Sequence, residues 1–164
     1  MHIRPAEERD CATINDIRNY YIVHTPITFD LETEPVEARI EWFTHYHVTG
    51  RHRLFVSETD GNVTGYAYTS QFRSKAAYDT TVEMTIYLAP EAVGRGIGSV
   101  LYATLFDALR DEDVHLAVAG ITLPNEASIA LHKKFGFEDV GVYHEVGRKF
   151  GKYWDVVWME KRLG

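Results

Sequence analysis

Apolar residues recur along this chain with two periods, every second residue in some segments and every third or fourth in others. Strict alternation over 81–88 predicts a strand with two different faces. One face comprises Val82, Met84, Ile86 and Leu88, and the other comprises Thr81, Glu83, Thr85 and Tyr87. Shorter runs predict strands at 2–4, 54–57, 63–68, 116–121, 139–146 and 153–161. Asp60 and Gly61, between the second and third of these, predict a hairpin turn.

Four segments have the spacing of amphipathic helices. The first helix is predicted to follow Asp10 as its N-cap, and the second to begin near Pro35 and end before Gly50. The third and fourth are predicted over 101–109 and 125–135. Asn125 is the predicted N-cap of the fourth helix and Gly136 its stop signal. This order of elements predicts an α/β (α+β) fold with parallel and antiparallel strand pairs.

Length, charge and cysteine content narrow the class of protein. A chain of 164 residues is the size of one domain, so a single domain over 1–164 is predicted. The net charge of −7 and the lack of a long Lys/Arg run disfavour a nucleic-acid binder. The longest apolar runs fall short of the roughly 18 residues of a membrane span, and the polar N-terminus is unlike a signal peptide. Cys11 is the single cysteine, so we expect a cytoplasmic protein without an intrachain disulfide.

The segment Val93–Ser99 has three glycines at alternate positions, between a predicted strand and a predicted helix. Glycine lets the backbone adopt positive φ and approach a ligand closely. The N–H groups of the turn and of the helix N-terminus then form a site for a phosphate group, to which Arg95 adds a charge. A tight turn without a ligand is the alternative. The turn is not a P-loop, which needs a lysine, and Ser99 replaces the third glycine of a dinucleotide fingerprint.

Three segments together resemble the GNAT acetyltransferase superfamily. They are the strand 81–88 with its glycine turn, the strand 117–121 leading to Asn125, and the helix and turn 128–137. A narrower resemblance is to the phosphinothricin/methionine-sulfoximine N-acetyltransferase branch. It rests on 28–29, on 72–78 preceding 81–83, and on 147–152 preceding 154–155.

The resemblance implies a GNAT-like splayed mixed β-sheet flanked by helices, with acetyl-CoA between two parallel strands and its pyrophosphate on the glycine turn. The residues implied to bind the cofactor are Ile86, Tyr87, Leu88, Val93, Gly94, Arg95, Gly96, Ile97, Gly98, Ser99 and Asn125. Val93 departs from the Gln or Arg that is usual at its place in the family, and Arg95 is expected to compensate. Members of the branch form dimers, so a homodimer is expected.

Glu83 and His132 are the predicted catalytic residues. An amine attacks a thioester after losing a proton, and Glu83 lies on the polar face of its strand, close to the glycine turn. Because an ordinary carboxylate is a weak base for an ammonium group, Glu83 is expected to act through a water molecule. His132 is expected to protonate the leaving thiolate, orient that water or polarise the carbonyl. Where many superfamily members have a tyrosine acid, the branch resembles this chain in having histidine. A structural carboxylate and a packed core histidine are the alternatives.

Arg73 and Lys75 form a cationic pair that predicts a site for the carboxylate of an amino acid. Charged loop residues in solvent are the alternative. The other predicted substrate contacts are Thr28, Phe29, Tyr78 and Thr85.

A metal site is not expected, because His45, His47 and His52 have no cysteine or carboxylate cage near them in sequence. The sequence therefore predicts acetyl-CoA as co-substrate and a small-molecule amine or amino acid as acceptor. Two other functions stay open, the acetylation of a protein N-terminus or lysine, and CoA binding without catalysis.

Overall fold

Seven strands form one mixed sheet, and four helices pack against it. The computed structural model describes all residues from 1 to 164. The strands are β1 (His2–Pro5), β2 (Leu54–Thr59), β3 (Asn62–Gln71), β4 (Thr81–Leu88), β5 (Leu116–Thr122), β6 (Glu138–Lys149) and β7 (Lys152–Arg162). The helices are α1 (Cys11–His24), α2 (Val36–Phe43), α3 (Ile97–Leu109) and α4 (Glu126–Lys134). Every predicted strand and helix is present, with shifts at several ends.

The sheet has the order β1-β2-β3-β4-β5-β7-β6, and β4–β5 is its one parallel pair. This pair is short, because only Thr81–Glu83 pairs with Leu116–Val118. Beyond Glu83, β4 stays hydrogen-bonded to β3, and β5 stays hydrogen-bonded to β7. The sheet therefore splays into two halves with a gap between β4 and β5, which confirms the predicted splayed mixed sheet.

Helices cover both faces of the sheet. On one face, Trp42 of α2 meets Tyr66 of β3, and Tyr87 lies beside Tyr66 in the neighbouring strand. On the other face, a Cβ at Gly98 of α3 would lie 3.4 Å from Ile86 of β4. The predicted alternation of β4 is therefore present, but its second face is not uniformly polar, since Tyr87 is buried.

α1 begins at Cys11 with Asp10 at the N-cap position, as predicted. The Asp10 side chain makes no capping hydrogen bond, however, because its carboxylate accepts hydrogen bonds from the Arg4 guanidinium and the Glu7 N–H within a 3-10 turn. α2 begins directly after Pro35 and ends at Phe43. None of the four helices is both long and apolar enough to cross a membrane.

Two hairpins close with residues in the left-handed region. Asp60 has φ of +52° and Gly61 of +78°, so the predicted turn is confirmed. The turn between β6 and β7 has the same form at Phe150 and Gly151, with φ of +53° and +70°. Phenylalanine rarely adopts this conformation, so the turn at Phe150 and the full length of these two strands were not predicted.

Candidate active site

The gap between β4 and β5 contains a cavity of about 580 Å³, bounded by both strands, the glycine turn and α4. Most residues predicted for the cofactor line it, namely Ile86, Tyr87, Leu88, Val93, Gly94, Gly96, Gly98, Ser99 and Asn125. Thr85 and His132 line it as well. Arg95 and Ile97 do not, since Arg95 is exposed and Ile97 is packed into the core.

The glycine turn presents a row of free backbone donors to this cavity. The N–H groups from Gly94 to Gly98 donate no hydrogen bond within the protein. Gly94 and Gly96 have φ of +80° and +77°, as predicted. Gly98 is helical instead, and a Cβ there would lie 3.3 Å from Leu131, so close packing explains this glycine. Free N–H groups at a helix N-terminus favour an anion such as phosphate, so the turn fits the cofactor's pyrophosphate.

α4 brings polar groups to the wall facing the turn. Asn125 is its N-cap, as predicted, and its Oδ1 accepts a hydrogen bond from the Ser128 N–H at 3.2 Å. At the other end of α4, Lys134 Nζ donates a hydrogen bond to Ser99 Oγ at 2.9 Å. Lys134 thus places a cation on the cavity wall, whereas Arg95 is exposed, makes no ion pair and does not line the cavity.

His132 is almost completely buried, with 2% of its surface exposed. Its Nδ1 lies 2.7 Å from the Ser128 carbonyl oxygen, which can only accept, so Nδ1 carries the proton. Nε2 therefore accepts the hydrogen bond from the Tyr102 hydroxyl, 2.9 Å away. Burial lowers the pKa of His132, and the Ser128 hydrogen bond opposes this more weakly. The imidazole is a neutral acceptor that contacts the cavity beside Tyr102.

Glu83 lies where β4 and β5 separate, paired with Ser70 of β3 and Val118 of β5. Its carboxylate is half-buried and makes no hydrogen bond or ion pair, and burial raises its pKa. On an alternating strand it shares a face with Thr85 and Tyr87, both of which line the cavity. Successive residues on one face are about 7 Å apart, so Glu83 stands one such step from the cavity wall.

Of the predicted acceptor residues, Thr85 lines the cavity, and the others fall into two groups, neither of which does. Thr28 and Phe29 directly follow the cavity residue Ile27 in the loop after α1, and Thr28 is buried. Arg73, Lys75 and Tyr78 are exposed between β3 and β4, where the Arg73 guanidinium lies 4.9 Å from the Phe72 ring and 5.6 Å from the Tyr78 ring. The structure does not bring Arg73 and Lys75 to the cavity.

His47 and His52 line a separate polar cavity of about 480 Å³. The His45 ring instead makes a hydrogen bond with the Trp42 carbonyl oxygen. No group of three or more His, Cys, Asp or Glu side chains is arranged to hold a metal ion.

Tyr21, Tyr102 and Lys134 are among the residues of the cavity wall that were not predicted from the sequence. Tyr21 donates a hydrogen bond to the Leu88 carbonyl at 2.7 Å across 67 positions of sequence. Tyr102 follows the apolar Leu101 on a buried stretch of α3, and no motif marked it. Lys134 lies two residues after His132, within the segment 128–137 that carries the family resemblance, so it could have been predicted from the sequence.

Comparison with known proteins agrees with this site. A family model described as Acetyltransferase (GNAT) domain matches residues 3–158. Phosphinothricin N-acetyltransferase of Streptomyces coelicolor is 52% identical over 166 residues, which cover 99% of this chain and 96% of that protein. The L-methionine sulfoximine/L-methionine sulfone acetyltransferase of Salmonella typhimurium is 37% identical over 163 residues, covering 99% and 95%. The chain therefore belongs to the GNAT acetyltransferase family.

A solved structure from Salmonella typhimurium, described as an acetyltransferase with its cofactor acetyl-CoA, has the same fold. It superposes with a TM-score of 0.96 at 36% identity and covers 100% of this chain and 94% of its own. The chain is thus an acetyl-CoA-dependent N-acetyltransferase with a single mixed sheet.

Replacing Tyr102 by Phe is expected to raise the pKa of His132. The hydroxyl donates to Nε2 and so stabilises the neutral ring, and this stabilisation is lost with the oxygen. NMR titration of the imidazole nitrogens measures the change. Tyr153→Phe, which removes an exposed hydroxyl, is the control and should leave the pKa unchanged. An equal pKa in the wild type and Tyr102→Phe would show that Tyr102 does not donate to the ring.

Proposed function

We propose that this protein transfers the acetyl group of acetyl-CoA to the primary amine of a small, amino-acid-like acceptor of the phosphinothricin or methionine sulfoximine type. The observation that carries the proposal is the arrangement of the gap between β4 and β5. Free N–H groups from Gly94 to Gly98 lie at its open end, and Glu83 lies where the strands meet. The names of the relatives support the acceptor type.

The free N–H groups of the glycine turn bind the pyrophosphate of the donor, beside the Lys134 ammonium group. The pantetheine arm then follows β4 from Leu88 towards Thr85, with Asn125 on the opposite wall. This orientation brings the thioester towards Glu83, since the strand leads from the turn back to the point where β5 pairs with it.

Glu83 acts as general base through a water molecule. The acceptor enters as an ammonium ion and needs a free lone pair, so the proton passes from nitrogen to water and from water to the carboxylate. The raised pKa of Glu83 makes it a better base than an exposed carboxylate. The nitrogen attacks the thioester carbon, the carbon–sulfur bond breaks, and the second proton of the attacking nitrogen passes to the leaving sulfur. CoA departs as a thiol whose pKa is near that of cysteine, about 8.5.

His132 assists as a neutral group held by Ser128 and Tyr102. Its Nε2 accepts a hydrogen bond from the Tyr102 hydroxyl, so the hydroxyl oxygen can in turn accept a hydrogen bond from the attacking nitrogen or its water. This role differs from direct protonation of the thiolate by His132, because neither ring nitrogen has a free proton to give.

Arg73 and Lys75 bind the acceptor carboxylate, with Tyr78 beside them, while Thr28, Phe29 and Thr85 contact the rest of the acceptor. Arg73 and Lys75 are both cationic, and neither forms an ion pair, so their charges are available to a carboxylate. Thr28 is buried next to the cavity residue Ile27. Because Arg73 is exposed, this role requires the segment 72–79 to close onto the bound acceptor.

We extend the proposal to a cytoplasmic homodimer. β6 is an edge strand, and nearly all its residues are exposed. The exposed apolar residues on it are Val140, Val142, Tyr143 and Val146. An open edge with apolar side chains supports pairing with a second copy of the chain. The single, buried Cys11 supports a reducing compartment.

An acceptor screen tests the proposed function. Release of CoA thiol is followed with phosphinothricin, methionine sulfone, common amino acids, a polyamine and peptides with a free N-terminus or lysine. The proposal expects turnover with the first two and none with the peptides. Turnover confined to peptides would assign the protein acetylation of the alternative hypothesis, and binding of CoA without any turnover would assign a binding module.

Glu83→Gln is expected to lower kcat by roughly 10²–10⁴-fold while the KM for acetyl-CoA is unchanged, because the amide cannot accept the proton. The wild-type rate should fall as the pH drops through a pKa above the ordinary glutamate value, since a base works when deprotonated. Steady-state pH profiles measure both. Glu138→Gln removes an exposed, unpaired carboxylate and serves as control. A wild-type rate in Glu83→Gln would remove Glu83 from the chemistry.

Lys134→Met is expected to raise the KM for acetyl-CoA about tenfold by removing one charge-assisted contact, with kcat at saturation little changed. The neighbouring Lys133 is a matched control, since its ammonium pairs with Asp139 at 3.7 Å on the surface. Lys133→Met should bind acetyl-CoA like the wild type. Equal KM values for the two variants would place the phosphate contacts on the backbone alone.

A further inference from the structure

Lys149, the last residue of β6, carries a buried ammonium group that the catalytic scheme does not use. Only 4% of its surface is exposed. Its Nζ donates a hydrogen bond to the Thr28 carbonyl at 2.8 Å, and no carboxylate oxygen lies within 4 Å of it. Burying a charged group away from water is costly unless its partners compensate, so the burial of the Lys149 ammonium group needs a structural explanation.

The compensation comes from the loop after α1 and from the hairpin turn. Thr28 supplies a carbonyl dipole, and the Phe150 ring lies 5.1 Å from the ammonium nitrogen. Asp30, two residues after Thr28, is paired with Arg18 and acts on Lys149 from a greater distance. Burial and, more weakly, Arg18 lower the pKa of Lys149, while Asp30 raises it.

A second contact joins the same two segments. The Phe29 ring lies against Gly147, where a Cβ would come within 2.1 Å of a ring carbon. Any side chain at position 147 therefore displaces the ring. Two residues of β6, Gly147 and Lys149, thus hold two successive residues of the loop, Thr28 and Phe29, across more than a hundred positions of sequence.

The loop lies next to the reacting groups. Ile27 lines the cavity, and the Arg18 that pairs with Asp30 lies 5.1 Å above the ring of Tyr87, another cavity residue. The loop between Ile27 and Asp30 is therefore fixed from one side by α1 and from the other by β6. Without the β6 contacts, Thr28 keeps its hydrogen bond from the Asp30 N–H and its side-chain hydrogen bond with Tyr87, but its carbonyl loses the Lys149 donor.

We propose that Lys149 is a positioning residue for the acceptor: its ammonium group fixes the Thr28 carbonyl, and with it the wall of the acceptor pocket formed by Thr28 and Phe29. The inference rests on the proposed function, because it concerns the same acceptor pocket. Lys149 acts through Thr28 and not by contact with the substrate. The cofactor half of the site, from Val93 to Ser99, is independent of it.

The test uses Lys149→Met in the full chain, with acetyl-CoA and two acceptors. Phosphinothricin ends in a methylphosphinate anion and methionine sulfone in a neutral methylsulfonyl group of nearly the same shape. The KM for both acceptors is expected to rise about tenfold, the effect of losing one hydrogen bond from a charged donor. The KM for acetyl-CoA and the kcat at saturation should stay as in the wild type. Lys152→Met, an exposed lysine three residues away, should change nothing.

Three results would overturn the inference. Unchanged acceptor KM values would show that Thr28 does not need Lys149. A loss confined to phosphinothricin would make Lys149 a direct ligand of the anion. Equal increases in the KM values for acceptor and acetyl-CoA would indicate general destabilisation.

Should Lys149→Met fail to fold, Gly147→Ala moves the Phe29 ring and must raise the acceptor KM alone. If the wild type acetylates neither acceptor, the proposed function fails first, and the variants are then compared for melting temperature with and without acetyl-CoA.

Discussion

The short parallel pairing of β4 and β5 is the constraint on which the rest of this structure depends. Three residues of each strand pair, and then each strand follows its antiparallel neighbour on the other side. One missing stretch of hydrogen bonds therefore opens the cavity, leaves backbone at its walls, and places Glu83 at its closed end. One hydrophobic core contains residues of both halves of the sheet, among them Tyr66 and Met159.

Much of the fold could be predicted from the sequence, because β4, α3 and α4 carry strong periodic signals and Asn125 is a clear N-cap. The cofactor side of the site could also be predicted, because the glycine turn is formed by one continuous segment, Val93–Ser99. Other features depend on distant contacts. Asp10 is at the N-cap position of α1, but Arg4 takes its carboxylate. Phe150 gave no turn signal, because its left-handed backbone is held by the hairpin around it.

On the acceptor side, the residue types were expected from the sequence, but the contacts that position them were not. Thr28 and Phe29 came from resemblance alone, and their positions depend on Gly147 and Lys149, more than a hundred residues away. For His132 several roles were open, and its burial and its two partners favour those of a neutral acceptor over proton donation to the thiolate. No single-sequence pattern contains the Tyr102 contact, since it forms between residues of two helices that meet only in the folded chain.

The row of free N–H groups from Gly94 to Gly98 has a consequence for how the donor arrives. Backbone dipoles attract an anion strongly at contact but weakly at long range, while the chain as a whole carries a net charge of −7. On the proposed function, the net charge opposes the approach of a polyanionic donor at long range, and the turn and the Lys134 ammonium group attract its phosphates at short range. Added salt screens that repulsion over a Debye length of about 10 Å or less, so it should accelerate association, opposite to a protein that captures phosphates with a basic surface.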